Sequence, residues 1–368
     1  MVKIYNMNIL NVTSIVEWRG GDAQMYTIYN LLKKHSTLNQ YILCPINSVL
    51  YQKAIDDYAQ VVSYVKKNKV FSLIQPIIEQ VKIQNIDVLH IHDSSALSAA
   101  IIAKLFVNKD VKLIYSRKRN NPIKNNYFKK LKYNNKYINK IISVSKAVEK
   151  IFVDINIPKE KLLTIYDAID VQNFANKSKT GFLLNELNLS SENIIVGNIS
   201  SLSKQKDLIT FINTAELVCQ KNDHVHFVIL GKGSEEMMLK QIVEEKKLEK
   251  NIHFLGFKSN AAAYLNEFDI LLMSSITEGL PLTIYEAFAS KVPIVSTKAG
   301  GIPEVITNGE NGFLTEIGDE KSLAEKCLLL IEDRNLANKF KEKSFNIVKE
   351  RFDLNNLEEN YLDFYQKL

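Results

Sequence analysis

The stretch EGLPLTIYEAFASKVPIVSTKAGGIPEVI, residues 278 to 306, holds Glu278 and Glu286 eight positions apart, with Pro281 between them and the pair Gly300 and Gly301 beyond. The preceding FDILLMSS is a short apolar run that reads as a strand, and ITEGL reads as the loop leaving it. Pro281 reads as the first residue of a helix, where its missing N–H costs no hydrogen bond. Glu278 then stands at the strand exit and Glu286 about a turn and a half into the helix, so that both can face one ligand. The amides of Gly279, Leu280 and Leu282 are expected to remain free at the helix start, where the dipole favours an anion such as a diphosphate. A carboxylate beside a phosphate site is useful when it accepts hydrogen bonds from hydroxyls, which sugars and riboses supply. The plainer alternative is an acid at a helix N-terminus plus a surface glutamate.

Other stretches add weaker signals. DVLHIHDSSALSAA carries His90 and His92 two apart. An HxH pair invites a metal, but no further His or carboxylate follows at the spacing of a binuclear site, so no metal is expected. His90 reads as a residue packed at the end of a strand. VILGKGSEEMMLK places Gly231 and Gly233 between a strand and a helix, and SIVEWRGGDAQMYTIYNLLKK places Gly20 and Gly21 likewise, where glycine lets the backbone approach a ligand closely. Cys44, Cys219 and Cys327 are scattered, so neither a disulfide framework nor a zinc site is implied.

These residues need strands to present them, and the chain supplies two sets. Strands are expected at residues 2–10, 40–44, 86–91, 111–115 and 141–144, and again in NIIVGNIS, VHFVILG, IHFLGF, FDILLMSS and VPIVST. Helical patterns such as DAQMYTIYNLLKK, SALSAAIIAKLF, DLITFINTAELVCQ and PLTIYEAFAS lie between them. Such alternation means parallel sheets, and 368 residues exceed one ordinary core. We therefore expect an α/β protein of two doubly wound Rossmann-like domains facing a cleft: residues 1–172, residues 173–350, and a C-terminal helix over 351–368 returning to the first domain. The join is expected near 170–190, where VQNFANKSKTGFL is polar and without a strong period. In such sheets ligands sit beyond the carboxyl ends of the strands, so the loops that follow strands are the places to search.

The stretch from Glu278 to Ile306 resembles the donor-site signature of glycosyltransferase family 4, retaining enzymes of the GT-B fold. The resemblance covers almost the whole chain, most specifically residues 195–315. It implies a nucleotide-sugar donor in the C-terminal domain, with Glu278 near the hydroxyls of the transferred sugar and Glu286 on the ribose. GNISSLSKQKDLITFI is similar to the family's G-R-L-S-x-x-K loop, in which an arginine and a lysine neutralise the donor diphosphate. Lys206 matches the lysine, but Ser201 stands where the arginine belongs, and Lys204, Arg117 or Arg119 would have to replace it. Gly231 then lies near the donor base, Gly20 and Gly21 border donor phosphate and acceptor, and His92 matches the family's histidine beside the reacting sugar. The form WRGG and the basic SRKR after the strand VKLIYS resemble transferases of the lipopolysaccharide core. The resemblance thus implies His92, Lys206 and Glu278 as catalytic residues. It implies donor binding by Gly20, Gly21, Arg117, Ser201, Lys206, Gly231, Gly279, Leu280, Pro281 and Glu286, with neither metal nor cofactor.

The implied activity is retaining transfer of a hexose from GDP-mannose or a UDP-hexose to a cell-envelope glycan or glycolipid acceptor. Two other readings stand beside it: a nucleotide-sugar epimerase of the same fold, and a non-catalytic glycan-binding relative whose donor site Ser201 has degraded. Net charge is +6, and residues 111–150 hold twelve Lys and Arg against Glu149 alone. With Tyr127, Phe128, Tyr133 and Tyr137 interleaved, this stretch suits an anionic membrane surface, and equally a solvated lysine-rich face; no nucleic-acid motif accompanies it, so no nucleic-acid partner is expected. No window reaches the ~20 apolar residues of a membrane span, and the start reads as a buried strand, not a signal peptide, so the protein is expected in the cytoplasm.

Overall fold

The computed structural model describes residues 6–18, 20–123, 127–175 and 177–368. Residues 2–5 of the first expected strand, Arg19, Lys124 and Asn176 of the expected join therefore lie outside the described residues. The chain divides into two units: the described residues up to Asp167 together with Asn355–Leu368, and Ala168–Leu354. The first boundary falls a few residues before 172. The reason is local: Ile169 bridges Asp353 and donates its N–H to the Phe352 carbonyl, so the segment after Asp167 is tied to the second unit.

The first unit is built on seven strands, β1 (Met7–Val12), β2 (Leu38–Pro45), β3 (Val61–Tyr64), β4 (Val88–Ile91), β5 (Lys112–Arg117), β6 (Ile138–Ser143) and β7 (Leu162–Thr164), in the order β3-β2-β1-β4-β5-β6-β7. Among the described residues all of its strand pairings are parallel. Leu10, Val12, Leu43, Leu89, Ile91, Leu113 and Ile141 are fully buried because helices such as Phe71–Ile83 and Ser94–Ala103 cover the sheet. β3 and β7 are short edge strands that the alternation of apolar runs did not announce. The last helix, Leu354–Gln366, packs in this unit: the Tyr365 hydroxyl lies 2.6 Å from Nδ1 of the fully buried His90, whose Nε2 is 2.7 Å from Ser116 Oγ.

The second unit has six parallel strands, β8 (Ile194–Ile199), β9 (Val225–Leu230), β10 (Ile252–Gly256), β11 (Ile270–Met273), β12 (Ile294–Thr297) and β13 (Phe313–Thr315), in the order β10-β9-β8-β11-β12-β13. Both sheets thus follow the doubly wound order, in which the chain runs outward one way from the first strand and then outward the other way from the fourth. The place where the direction reverses lies between β1 and β4 in the first unit and between β8 and β11 in the second. A crevice opens there at the carboxyl ends of the strands, and the loops after these four strands carry most of the residues singled out above.

Candidate functional site

In the second unit, β8 leads into a loop and a short 3-10 turn, Lys204–Lys206, before the helix Leu208–Cys219 begins. Asp207 caps that helix from a left-handed conformation (φ 45°), its carboxylate accepting from the Thr210 N–H, and this sharp turn fixes where Lys206 points. β11 leads into the loop holding Glu278. The two loops are stitched together: Ser274 Oγ donates to the Lys206 carbonyl at 3.0 Å, and the Ile276 N–H to the Gln205 carbonyl at 2.8 Å. Lys206 Nζ meets Glu278 Oε1 at 2.6 Å, and Ser275 Oγ donates to the same oxygen at 2.7 Å. Thr297 Oγ1, at the end of β12, holds the Ser275 carbonyl at 2.6 Å, and the Gly301 N–H reaches the Glu278 carbonyl at 3.3 Å. A cation and a carboxylate are therefore held side by side at the switch point by three loops.

Pro281 differs from expectation. It is the residue before the helix Leu282–Ala289, with extended backbone (φ −76°, ψ 136°), and its carbonyl accepts from Ile284 N–H at 3.1 Å. Leu280 is buried beside it, Gly279 lies in the same loop, and Leu282 becomes the first helical residue. Glu286 follows one turn later. Its carboxylate has no hydrogen-bond or ion-pair partner among the described residues, and burial pushes its carboxyl up to about 7. A carboxyl held in that state gains when a ligand brings hydroxyl donors to it.

Ser201 is exposed, its hydroxyl 3.2 Å from that of Ser203, and the exposed Lys204 sits two residues before Lys206. Gly231 has φ +142°, and a Cβ built on it would stand 1.8 Å from the Ser200 carbonyl oxygen; at Gly233 the corresponding distance to the Leu202 carbonyl is 2.1 Å. These glycines let the loop after β9 press against the loop after β8, so their first demand is protein packing. A cavity of about 240 Å³ lined by Ile194, Asp269, Arg334 and Lys341 lies at the opposite, amino ends of β8 and β11, away from all of these groups.

In the first unit His92 follows β4, its N–H bonded to the Val12 carbonyl at 3.0 Å, and its Nε2 lies 3.2 Å from Asn11 Oδ1. Burial, then the neighbouring His90 and Lys118, hold its pKa well below the ordinary value, so the ring is neutral. Gly20 and Gly21 are the opening residues of the helix Gly20–Leu32, which starts earlier than the expected Asp22. A Cβ on Gly20 would meet open space and one on Gly21 only the Lys118 side chain at 3.5 Å, so neither position requires glycine for packing. Arg117 is engaged by its own loop: Nε donates to the Arg119 carbonyl at 3.0 Å and Nη2 to the Asn121 carbonyl at 2.5 Å, with Phe152 under the guanidinium.

Sequence reasoning missed the pairing of Lys118 with Asp167, both of them among the least exposed charged side chains. Burial works against the charge on Lys118, yet Asp167 keeps its pKa above the ordinary value. The positive excess of residues 111–150 is also smaller than its composition suggests. Lys112 meets Asp110 at 3.1 Å, Lys146 meets Glu149 at 3.2 Å and Lys150 meets Asp154 at 2.9 Å. Lys132 turns inward to Ser94, and burial lowers its pKa to about 8. What remains outward is the helix Tyr127–Tyr133, with Tyr127, Phe128 and Leu131 exposed. Among the described residues no cluster of His, Cys, Asp and Glu could hold a metal ion, and no helix is long and apolar enough to cross a membrane. The three cysteines are free; Cys44 and Cys327 are buried.

Two doubly wound parallel units in one chain, each with its functional loops at the switch point, define the GT-B architecture. Residues 44–173 match the family model Glycosyltransferase Family 4, and residues 181–346 match the model Glycosyl transferases group 1. The chain belongs to the family 4 glycosyltransferases. It is 26% identical over 290 residues to the N-acetyl-alpha-D-glucosaminyl L-malate synthase of Bacillus anthracis, covering 77% of this chain and 75% of that one. It is 29% identical over 204 residues to the poly(ribitol-phosphate) alpha-N-acetylglucosaminyltransferase of Staphylococcus aureus, covering 55% of this chain and 41% of that longer protein. Among solved structures, Anabaena HepE in complex with UDP and glucose superposes with a TM-score of 0.86 at 20% identity, covering 98% of this chain and all of that one.

Proposed function

We propose that this glycosyltransferase moves a hexose or N-acetylhexosamine from a UDP-linked donor to a cell-envelope glycan or glycolipid acceptor, with retention of anomeric configuration. The observation that carries the donor site is the Lys206–Glu278 pair at the β8–β11 switch point, with the unpaired Glu286 on the neighbouring helix. Lys206 supplies the positive charge for a leaving diphosphate, Glu278 accepts hydroxyls of the transferred sugar, and Glu286 accepts the ribose hydroxyls. UDP is favoured over GDP because HepE and the S. aureus transferase TarM, which share the fold, were both solved with UDP. The envelope acceptor is supported by relatives named for transfer to poly(ribitol-phosphate) and for capsular polysaccharide and O-antigen biosynthesis.

In the proposed reaction the bond between the sugar C1 and the diphosphate oxygen breaks while the acceptor oxygen bonds C1 on the same face. The acceptor proton passes to the departing phosphate oxygen, and UDP leaves. Charge develops on that diphosphate as the bond opens, so a cation fixed beside it lowers the barrier, by several kcal/mol in comparable sites. No metal enters this scheme. With Arg117 bound to its own loop, Lys204 is the candidate that stands closest in sequence to the missing arginine. We further propose that Tyr127, Phe128 and Leu131, flanked by Lys129 and Lys130, rest on an anionic membrane; co-sedimentation with phosphatidylglycerol vesicles at low salt checks this, and no binding refutes it.

The test is turnover. Purified protein is incubated with UDP-glucose, UDP-galactose, UDP-N-acetylglucosamine and GDP-mannose, with and without lipid-linked saccharide acceptors, and UDP or GDP release and the anomeric configuration of the product are read. Acceptor-dependent UDP release with an α-linked product from an α-linked donor supports the reading. An altered nucleotide sugar formed without acceptor supports the epimerase instead, and nucleotide binding without any turnover supports the non-catalytic relative.

A further inference from the structure

His92 is the end of a hydrogen-bond chain whose direction is fixed by a group that can only accept. The Tyr29 carbonyl lies 3.0 Å from Gln40 Nε2, so the Gln40 amide must turn its NH₂ toward Tyr29 and its oxygen away. Gln40 Oε1 lies 3.2 Å from Asn11 Nδ2, which therefore donates, and the same Asn11 nitrogen faces the Tyr41 carbonyl at 3.5 Å. Asn11 Oδ1 is thereby left toward His92 Nε2 at 3.2 Å, and an oxygen there requires Nε2 to carry the proton. Asn11 and Gln40 are both buried, so water does not substitute for either link. The other ring nitrogen, Nδ1, is buried and has no hydrogen-bond partner.

We propose that Asn11 and Gln40 are positioning residues that lock His92 in the Nε2–H tautomer and so keep Nδ1 as a hydrogen-bond acceptor for a hydroxyl of the bound sugar. This rests on the proposed transfer activity and on the resemblance that sets His92 beside the reacting sugar. A bare Nδ1 pairs with a donor and repels an anion, so the chain selects a hydroxyl at this point. An unpaired buried acceptor is costly, and that cost disappears when a hydroxyl donates to it.

The experiment reads the tautomer directly, by ¹⁵N-edited imidazole NMR on the full chain labelled at its six histidines, with His92→Gln identifying the His92 signals. At pH 7 the wild type is expected to show His92 neutral with the proton on Nε2. Asn11→Leu is expected to shift the population toward Nδ1–H, and Gln40→Met, a milder change one link further away, to give a mixture. In transfer from a UDP-sugar, Asn11→Leu is expected to lower turnover about tenfold, the loss of one hydrogen bond, while UDP affinity stays as in the wild type. Nδ1–H or a doubly protonated ring in the wild type overturns the proposal, as does a tautomer unchanged in both variants, or a shifted tautomer with unchanged turnover. Because the tautomer is read in the free protein, absence of UDP binding or transfer contradicts the functional reading alone.

Discussion

At the scale of single residues, Glu286 makes the sharpest prediction. Its carboxyl titrates near 7 in the folded chain against 4.5 in the unfolded one, because burial disfavours the charge. The folded state therefore holds the extra proton between those values, and the associated stability, present at low pH, is lost as pH rises through 7. Glu286→Gln is expected to be more stable than the wild type at pH 8, by on the order of 2–3 kcal/mol, and equal to it at pH 4, as read by urea denaturation. Ligand binding has the opposite sign, since ribose hydroxyls pair with the charged form: UDP affinity should climb as pH rises from 6 to 8 and lose that dependence in Glu286→Gln. Lys206→Ala is expected to weaken UDP binding about tenfold or more and to leave Glu278 with Ser275 as its remaining partner, a change calorimetry would detect.

The residues of this site were legible because their spacing around a strand exit and a helix start is a local matter. Lys206 and Glu278 are 72 positions apart, and only the pairing of β8 with β11 brings them together. Lys118 and Asp167, or Asn11 and Gln40, gave no comparable signal. The one available hint was Asn11 itself, a polar residue in the apolar run of β1, which a buried strand tolerates only when its amide is paired.

At the scale of elements, one contact holds the loops after β8 and β9 and another holds the last helix. Gly231 works in a backbone region that side chains rarely adopt and against a carbonyl that a Cβ would overlap. Gly231→Ala is therefore expected to displace the loops after β8 and β9 and to reduce both stability, by about 2 kcal/mol or more, and UDP binding. The resemblance set Gly231 near a donor base, whereas the need for glycine that the structure shows comes from the Ser200 carbonyl. The last helix is fixed by the His90–Tyr365 bond, which no periodicity foretold; the amphipathic pattern announced the helix and His90 announced only a buried strand end. Tyr365→Phe leaves His90 Nδ1 without its partner and should lower stability by about 1–3 kcal/mol, measurable as a shift in denaturant midpoint. Short edge strands such as β3, β7 and β13 escaped the sequence because three or four residues carry too little period to separate from a loop.

At the scale of the whole molecule, the alternation of strands and helices sufficed for two parallel doubly wound units, since each apolar run buried on both faces leaves few other arrangements. Acid stability follows from how ionisable groups are distributed between them. In the first unit burial, aided by Lys118, lowers His90 to about 3, and His92 is also held well below its ordinary value. For each, the unfolded chain binds a proton that the folded one refuses, so the stability present above pH 6.5 is lost as pH falls, at up to about 1.4 kcal/mol per pH unit per histidine. In the second unit burial lowers His253 to about 4 and also lowers His226, but Glu286 acts in the opposite sense and offsets part of their effect. The first unit should therefore weaken more between pH 7 and 5. The single tryptophan, Trp18, lies in that unit, so its fluorescence midpoint in urea should fall further than the far-UV circular dichroism midpoint of the whole chain.

We propose that the second unit holds a uridine diphosphate donor through Lys206 and Glu286. Isothermal calorimetry with UDP, at pH 8 and without added metal, tests it on the wild type, Lys206→Ala and Glu286→Ala. Binding by the wild type that weakens at least tenfold in each variant, with GDP and ADP binding more weakly than UDP, is the predicted result. No UDP binding by the wild type, or binding that both variants leave unchanged, would contradict it.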